Sequence, residues 1–142
     1  MTRFVLAAAA ILLVTACTSP LGTPRDRVAL EDRVAALIPT KESFISGERA
    51  EVVLLNRSEE HVGYGACEPR LERRTRSGWA LIGPKNVICI AIMYVLPPGG
   101  STEFAMETSN LEAGTYRFRM EVFPDTNLPT QMIRSASFEV RP

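Results

Sequence analysis

The chain is 142 residues long, with 16 basic residues balanced by 16 acidic ones and a single histidine. That length suits one domain. The even balance supplies no field to steer a polyanion or an anionic lipid surface, so no nucleic-acid partner is expected.

The chain begins MTRFVLAAAAILLVTAC. Arg3 is followed by an apolar run from Phe4 to Val14. A bilayer-spanning helix needs about 20 apolar residues, so this run is too short to span. A charged start, a short apolar middle and small residues at the end make residues 1–16 a secretory signal-peptide helix. Its end, Val14-Thr15-Ala16-Cys17, resembles the lipobox of bacterial lipoproteins. That resemblance implies lipidation of Cys17, cleavage just before it and often acylation of the new amine. Several acyl chains on one residue would hold a small domain at a bilayer, since each buried CH₂ contributes about 0.8 kcal/mol. Thr18 stands where an aspartate would favour inner-membrane retention, which implies an outer-membrane destination facing the periplasm. The alternative is ordinary cleavage near Ala8-Ala9-Ala10, with Cys17 incidental.

Residues 17–32 form the lipidated cysteine and a flexible tether, marked by the Pro- and Gly-containing TSPLGTPRDR. The folded body is expected over 33–142. VALEDRVAALI at 28–38 fits a helical face, but flanking prolines favour a first strand near 33–39. From Arg49 the pattern has period two, the mark of strands with one dry and one wet face. Ala50, Val52 and Leu54 share one face, and Thr102, Phe104 and Met106 another. Tyr116, Phe118, Met120 and Val122 point inward against Arg117, Arg119 and Glu121, and Ala136, Phe138 and Val140 close the series. VICIAIMYVL at 87–96 reads as a strand buried on both faces. Turns at Ser46-Gly47-Glu48, Ser77-Gly78 and Pro97-Pro98-Gly99-Gly100 separate these runs, and 123–133 reads as a long loop. Seven to eight short strands so spaced predict an all-β sandwich. Leu111-Glu112-Ala113-Gly114-Thr115-Tyr116 looks like a tyrosine corner, a structural motif.

With Cys17 set aside, Cys67 and Cys89 are an even pair in an oxidising compartment, so a disulfide is the default. It would close a loop of about 22 residues and contribute about 3 kcal/mol in the chain-entropy picture. A metal site on Cys67, Cys89 and His61 is the alternative, but the spacing matches no zinc motif. No metal or cofactor is expected. His61, the lone histidine, follows a turn without a nucleophile motif, and neither Lys41 beside Ser43 nor Lys85 has one either, so no catalytic residue is assigned. No phosphate-binding loop or small-molecule substrate is evident. Asn56-Arg57-Ser58 matches a glycosylation sequon.

Two features could carry binding. Arg70, Arg73, Arg74 and Arg76 cluster in CEPRLERRTRSGW, read either as a solvated hairpin with cross-strand ion pairs or as a docking surface for an acidic protein or envelope polymer. Trp79 is either a core anchor near the disulfide or a binding platform.

Taken in order, SFISGERAEVVLLNRS (43–58), CEPRLERRTRSGWALI (67–82), LPPGGSTEF (96–104), LEAGTYRFRMEV (111–122) and SFEV (137–140) resemble the bacterial immunoglobulin-like domains of exported proteins. The resemblance implies an immunoglobulin-like Greek-key sandwich serving as a binding, spacer or stalk module, without shared catalytic residues. It leads to a lipid-anchored cell-envelope protein whose partner is an envelope protein or polymer. An exported protease inhibitor presenting 123–133 or 83–88 is the alternative.

Overall fold

The computed structural model describes residues 34–83, 92–124 and 129–142. They form eleven strands in two sheets. The smaller sheet has the order β1-β3-β8, from Ala35–Pro39, Arg49–Asn56 and Ser101–Glu107. The larger is organised around β9 (Gly114–Phe123), whose ten residues span its full width. Along one side of β9 lie β4 (Val62–Gly65) and β5 (Arg70–Thr75), end to end. Along the other lie β10 (Gln131–Arg134) and β11 (Phe138–Arg141). Outside β5 and β4 run β6 (Gly78–Ile82) and β7 (Met93–Leu96). β2 (Ser43–Ile45) pairs parallel to β11.

The first stretch of the body is thus shared: β1 joins the small sheet and β2 the large one. The chain then crosses from β3 to β4, back from β7 to β8 and over again to β9. This is the all-β sandwich expected from the turn spacing, in the immunoglobulin-like Greek-key layout that the resemblance implied. The strand number exceeds seven to eight because interruptions cut long strands into pairs such as β4/β5 and β10/β11.

Alternation places the core. Val52 and Leu54 of β3 and Phe118, Met120 and Val122 of β9 are all buried in one hydrophobic core. At the β2 end Phe138 is packed by Phe44 edge-on at 5.2 Å and by Phe118 at 5.0 Å. The inward faces read for β3 and β9 are the buried ones, and those of β8 are half-buried.

Four readings are corrected. Ala136 does not share the face of Phe138 and Val140: it is exposed in the link before β11. Ser135 is buried there instead, its hydroxyl accepting from the Phe118 N–H at 2.9 Å. VICIAIMYVL is not a doubly buried strand over its described part, because Met93, Tyr94 and Val95 are about half-exposed on β7. β7 pairs only with β4 among the described residues, and an apolar run alone does not reveal whether a strand is central or peripheral. The expected loop 123–133 is shorter, since β9 continues to Phe123 and β10 begins at Gln131. β2 was not anticipated, because three residues carry too little periodicity.

Candidate functional site

The tyrosine corner forms as read: the Tyr116 hydroxyl donates to the Glu112 carbonyl at 2.7 Å. Burial raises the phenol above its ordinary pKa. Arg73 belongs to this corner. It pairs with Glu112 and its guanidinium lies 5.9 Å from the Tyr116 ring. The pleat therefore splits the arginine cluster. Leu71 and Arg73 face the inner side of β5, Arg70, Glu72 and Arg74 face outward, and Arg76 is exposed in the β5–β6 turn.

On that outer face Glu72 is almost fully buried. Its carboxylate accepts from Arg117 Nε at 2.6 Å, and Arg119 and Arg134 lie 3.6 and 3.8 Å from it. Trp79, directly opposite Arg74, lies in the same layer. The Arg117 guanidinium is 4.2 Å from its ring centroid and that of Arg74 5.4 Å. Trp79 is half-buried among guanidiniums, so neither core anchor nor bare platform describes it.

In and beside this hub, single polar atoms are withdrawn from water. One Glu68 carboxylate oxygen and Arg119 Nε are buried with no hydrogen bond. Glu68 faces Glu121, Arg119 and Arg70, and burial, reinforced by Glu121, pushes its carboxyl up to about 7. Arg117, Arg119 and Arg134 were not among the expected site residues, although the outward alternation of Arg117 and Arg119 was visible in TYRFRMEV. Their convergence on Glu72 depends on strand order, which no local pattern carries.

The other residues weighed for chemistry lie apart. His61 is exposed before β4. Lys41 is engaged by Glu48, and Ser43 lies in register with Glu139 on β2. Among the described residues no group of three or more His, Cys, Asp or Glu is placed to hold a metal ion. Asn56 is buried, and its amide donates to the carbonyls of Glu60, Leu96 and Pro97 at 2.8, 3.1 and 3.0 Å. The Ser58 N–H and hydroxyl donate to its side-chain oxygen, so the sequon is a structural knot. Cys17, Cys89 and Lys85 lie outside the described residues, as do most of 83–88 and the centre of 123–133.

No protein-family model matches the chain, and no curated protein matches it. Solved structures do. The ASH/PapD-like domain of human CEP192 (PapD-like domain 7) is 15% identical with a TM-score of 0.41, covering 93% of this chain and 96% of that one. The alkylpurine DNA glycosylase AlkC of Pseudomonas fluorescens, bound to DNA containing an abasic site analog, is 14% identical with a TM-score of 0.39, over 81% of this chain and 32% of that one. A beta-glucosidase from Listeria innocua is 16% identical with a TM-score of 0.37, over 76% and 16%. At these values none lends its ligand or activity to this chain.

Proposed function

We propose that this is a lipid-anchored cell-envelope protein whose immunoglobulin-like body acts as a non-catalytic binding or scaffolding module. Val14-Thr15-Ala16-Cys17 at the end of a short apolar run carries the anchor. The body supports a binding role because its most elaborate polar cluster, Glu72 with Arg117, Arg119 and Arg134, lies on the outside of a sheet. That placement suits docking of a macromolecule better than enclosure of a substrate.

The proposal includes a Cys67–Cys89 disulfide. Cys67 lies in the gap between β4 and β5, and residues 83 and 92 bound the corresponding gap between β6 and β7. The Ala66 N–H donates to the Ile92 carbonyl at 3.2 Å. That contact sets Ile92 beside the neighbour of Cys67, which supports the pairing.

Intact mass of the full-length product, with and without reductant, tests both parts. A chain beginning at Cys17, heavier by its lipid and gaining two hydrogens on reduction, is the expected result. An unlipidated chain cut elsewhere removes the anchor, and an unchanged mass on reduction removes the disulfide.

A further inference from the structure

The edge strands of the two sheets differ sharply in character. β1 ends in Pro39, which has no N–H to offer a neighbour. β2 lies between the charges of Lys41, Glu42 and Glu48. β8 carries Glu103 and Glu107, and β10 carries Arg134. β6 is half-buried throughout, with the guanidiniums of Arg74 and Arg117 over its Trp79. Proline, charge and cover are the means by which sheet edges are kept from pairing again. β7 has none of them. It stands at the end of the path β2-β11-β9-β4-β7, and no charged residue occurs from 86 to 102. Ile92, Met93, Tyr94 and Val95 are 46%, 58%, 48% and 57% exposed.

The backbone of β7 narrows what can sit beside it. Bonded and non-bonded pairs alternate along an antiparallel ladder. The Ala66 N–H donates to the Ile92 carbonyl at 3.2 Å, so Ile92, Tyr94 and Leu96 are the residues bonded to β4. The N–H and C=O of Met93 and Val95 therefore point away from β4, and among the described residues no strand pairs with them. The edge thus offers two donors and two acceptors on two residues. A two-fold axis at Tyr94 makes that set its own complement, because Met93 of one copy then stands opposite Val95 of the other. Each such pair exchanges two hydrogen bonds, four in all.

We propose that β7 is a homodimerisation edge, through which two copies of this chain join antiparallel into one continuous sheet with Tyr94 at the two-fold axis. A second copy is the occupant because the unpaired backbone set is self-complementary and the edge is uncharged, so nothing repels an identical strand. On one face Met93, whose sulfur lies over Gly63, packs against Val95 of the other copy. On the opposite face Tyr94, stacked on Tyr64 at 5.4 Å, meets its own counterpart. Area sets the strength. About half of four large side chains, on the order of 400 Å² per copy, is below the roughly 600 Å² per partner of stable complexes, so the dimer is weak and reversible. The inference goes beyond the anchored-module reading and holds whether or not Cys17 is lipidated. An anchor would concentrate the copies and favour the same pairing.

Sedimentation of the full-length product in density-matched detergent, over a wide range of concentration, reads the pairing. A reversible monomer–dimer equilibrium is expected. Val95→Pro removes an edge N–H that β4 does not use, a position where a sheet tolerates proline, and should weaken the dimer at least tenfold. Met93→Lys adds the charge this edge lacks and should weaken it by a similar factor. Ile45→Lys, on exposed β2, should leave it unchanged. Melting temperatures confirm that each variant is folded, and if the proline variant is not, Met93→Lys decides. Tyr94→Cys tests the register: mild oxidation should give a covalent dimer, because residues of a non-bonded pair approach most closely. The parent, with Cys17, Cys67 and Cys89, is oxidised alongside and should not. A chain that stays monomeric at every concentration overturns the proposal and leaves the edge to another segment or partner. A dimer indifferent to both β7 variants, or one that Tyr94→Cys fails to cross-link, also overturns it. Growth beyond dimers replaces the two-fold pairing with open association. The mass measurement above reads the anchor separately, so the two failures are told apart.

Discussion

Two parts of this sandwich withdraw polar groups from water, and they do so differently. At Asn56 every side-chain valence is met: two amide hydrogens are shared among three carbonyls, and the oxygen accepts from Ser58. Its backbone is also tied to the Pro97–Gly100 turn, with Asn56 N–H on the Gly100 carbonyl and Gly99 N–H on the Asn56 carbonyl. Gly99 has φ of +69°, the left-handed geometry this turn requires. Around Glu68 and Glu72 the account does not close: a carboxylate oxygen and a guanidinium nitrogen are buried without partners, and arginines face arginines. A satisfied buried group holds a fold together. An unsatisfied one costs stability instead.

The sharpest way to break this contrast is at Asn56. Asn56→Asp replaces a donor with an oxygen aimed at three carbonyls, at a site with 1% exposure. Denaturant unfolding should show a loss of about 3–5 kcal/mol. Asn56→Ala should lose less, because it leaves carbonyls unpaired but sets no charge against them. If the aspartate is tolerated as well as the alanine, the knot is not structural.

The two regions also differ in how far sequence alone reveals them. Asn56 stands at the end of an alternating strand and before a polar turn, and the same letters raise a sequon that burial then rules out. The tyrosine corner was legible because its hydrogen bond spans four residues. The arginine row was not, because Arg70, Arg119 and Arg134 meet only through strand pairing across 49 and 15 residues of chain. Local grouping instead drew in Arg73, which the pleat turns to the other side. The same limit explains β7, where hydrophobicity says nothing about whether a further strand covers it.

A smaller effect is expected at Glu72. Glu72→Gln keeps the shape but removes the charge that Arg117, Arg119 and Arg134 share. Because the carboxylate is nearly buried and the arginines only partly so, the loss should be about 2 kcal/mol, larger at low salt. Trp79 fluorescence should shift as Arg117 loosens from its ring. A variant as stable as the parent at low salt would mean that the hub does not hold this face together.

The smallest effect carries a sign. The Glu68 carboxyl is raised from 4.5 to about 7, chiefly by burial and then by Glu121. Between those values the folded chain binds a proton that the unfolded chain has released, so folding stability falls as pH rises through this window. Below about 4.5 the two states are equally protonated at this position and its penalty vanishes. Above 7 both are ionised and the penalty is complete. Glu68 is partly in contact with water, so screening reduces the penalty to about 1–2 kcal/mol. Glu68→Gln should therefore match the parent near pH 4 and exceed its stability by that amount near pH 8, read by unfolding at both values. Equal stability at both would mean that the carboxylate is solvated and that the strain assigned to this face is absent. A gain confined to the alkaline side would instead show that the ionised carboxylate carries a burial cost that Arg119 and Arg70 only partly offset.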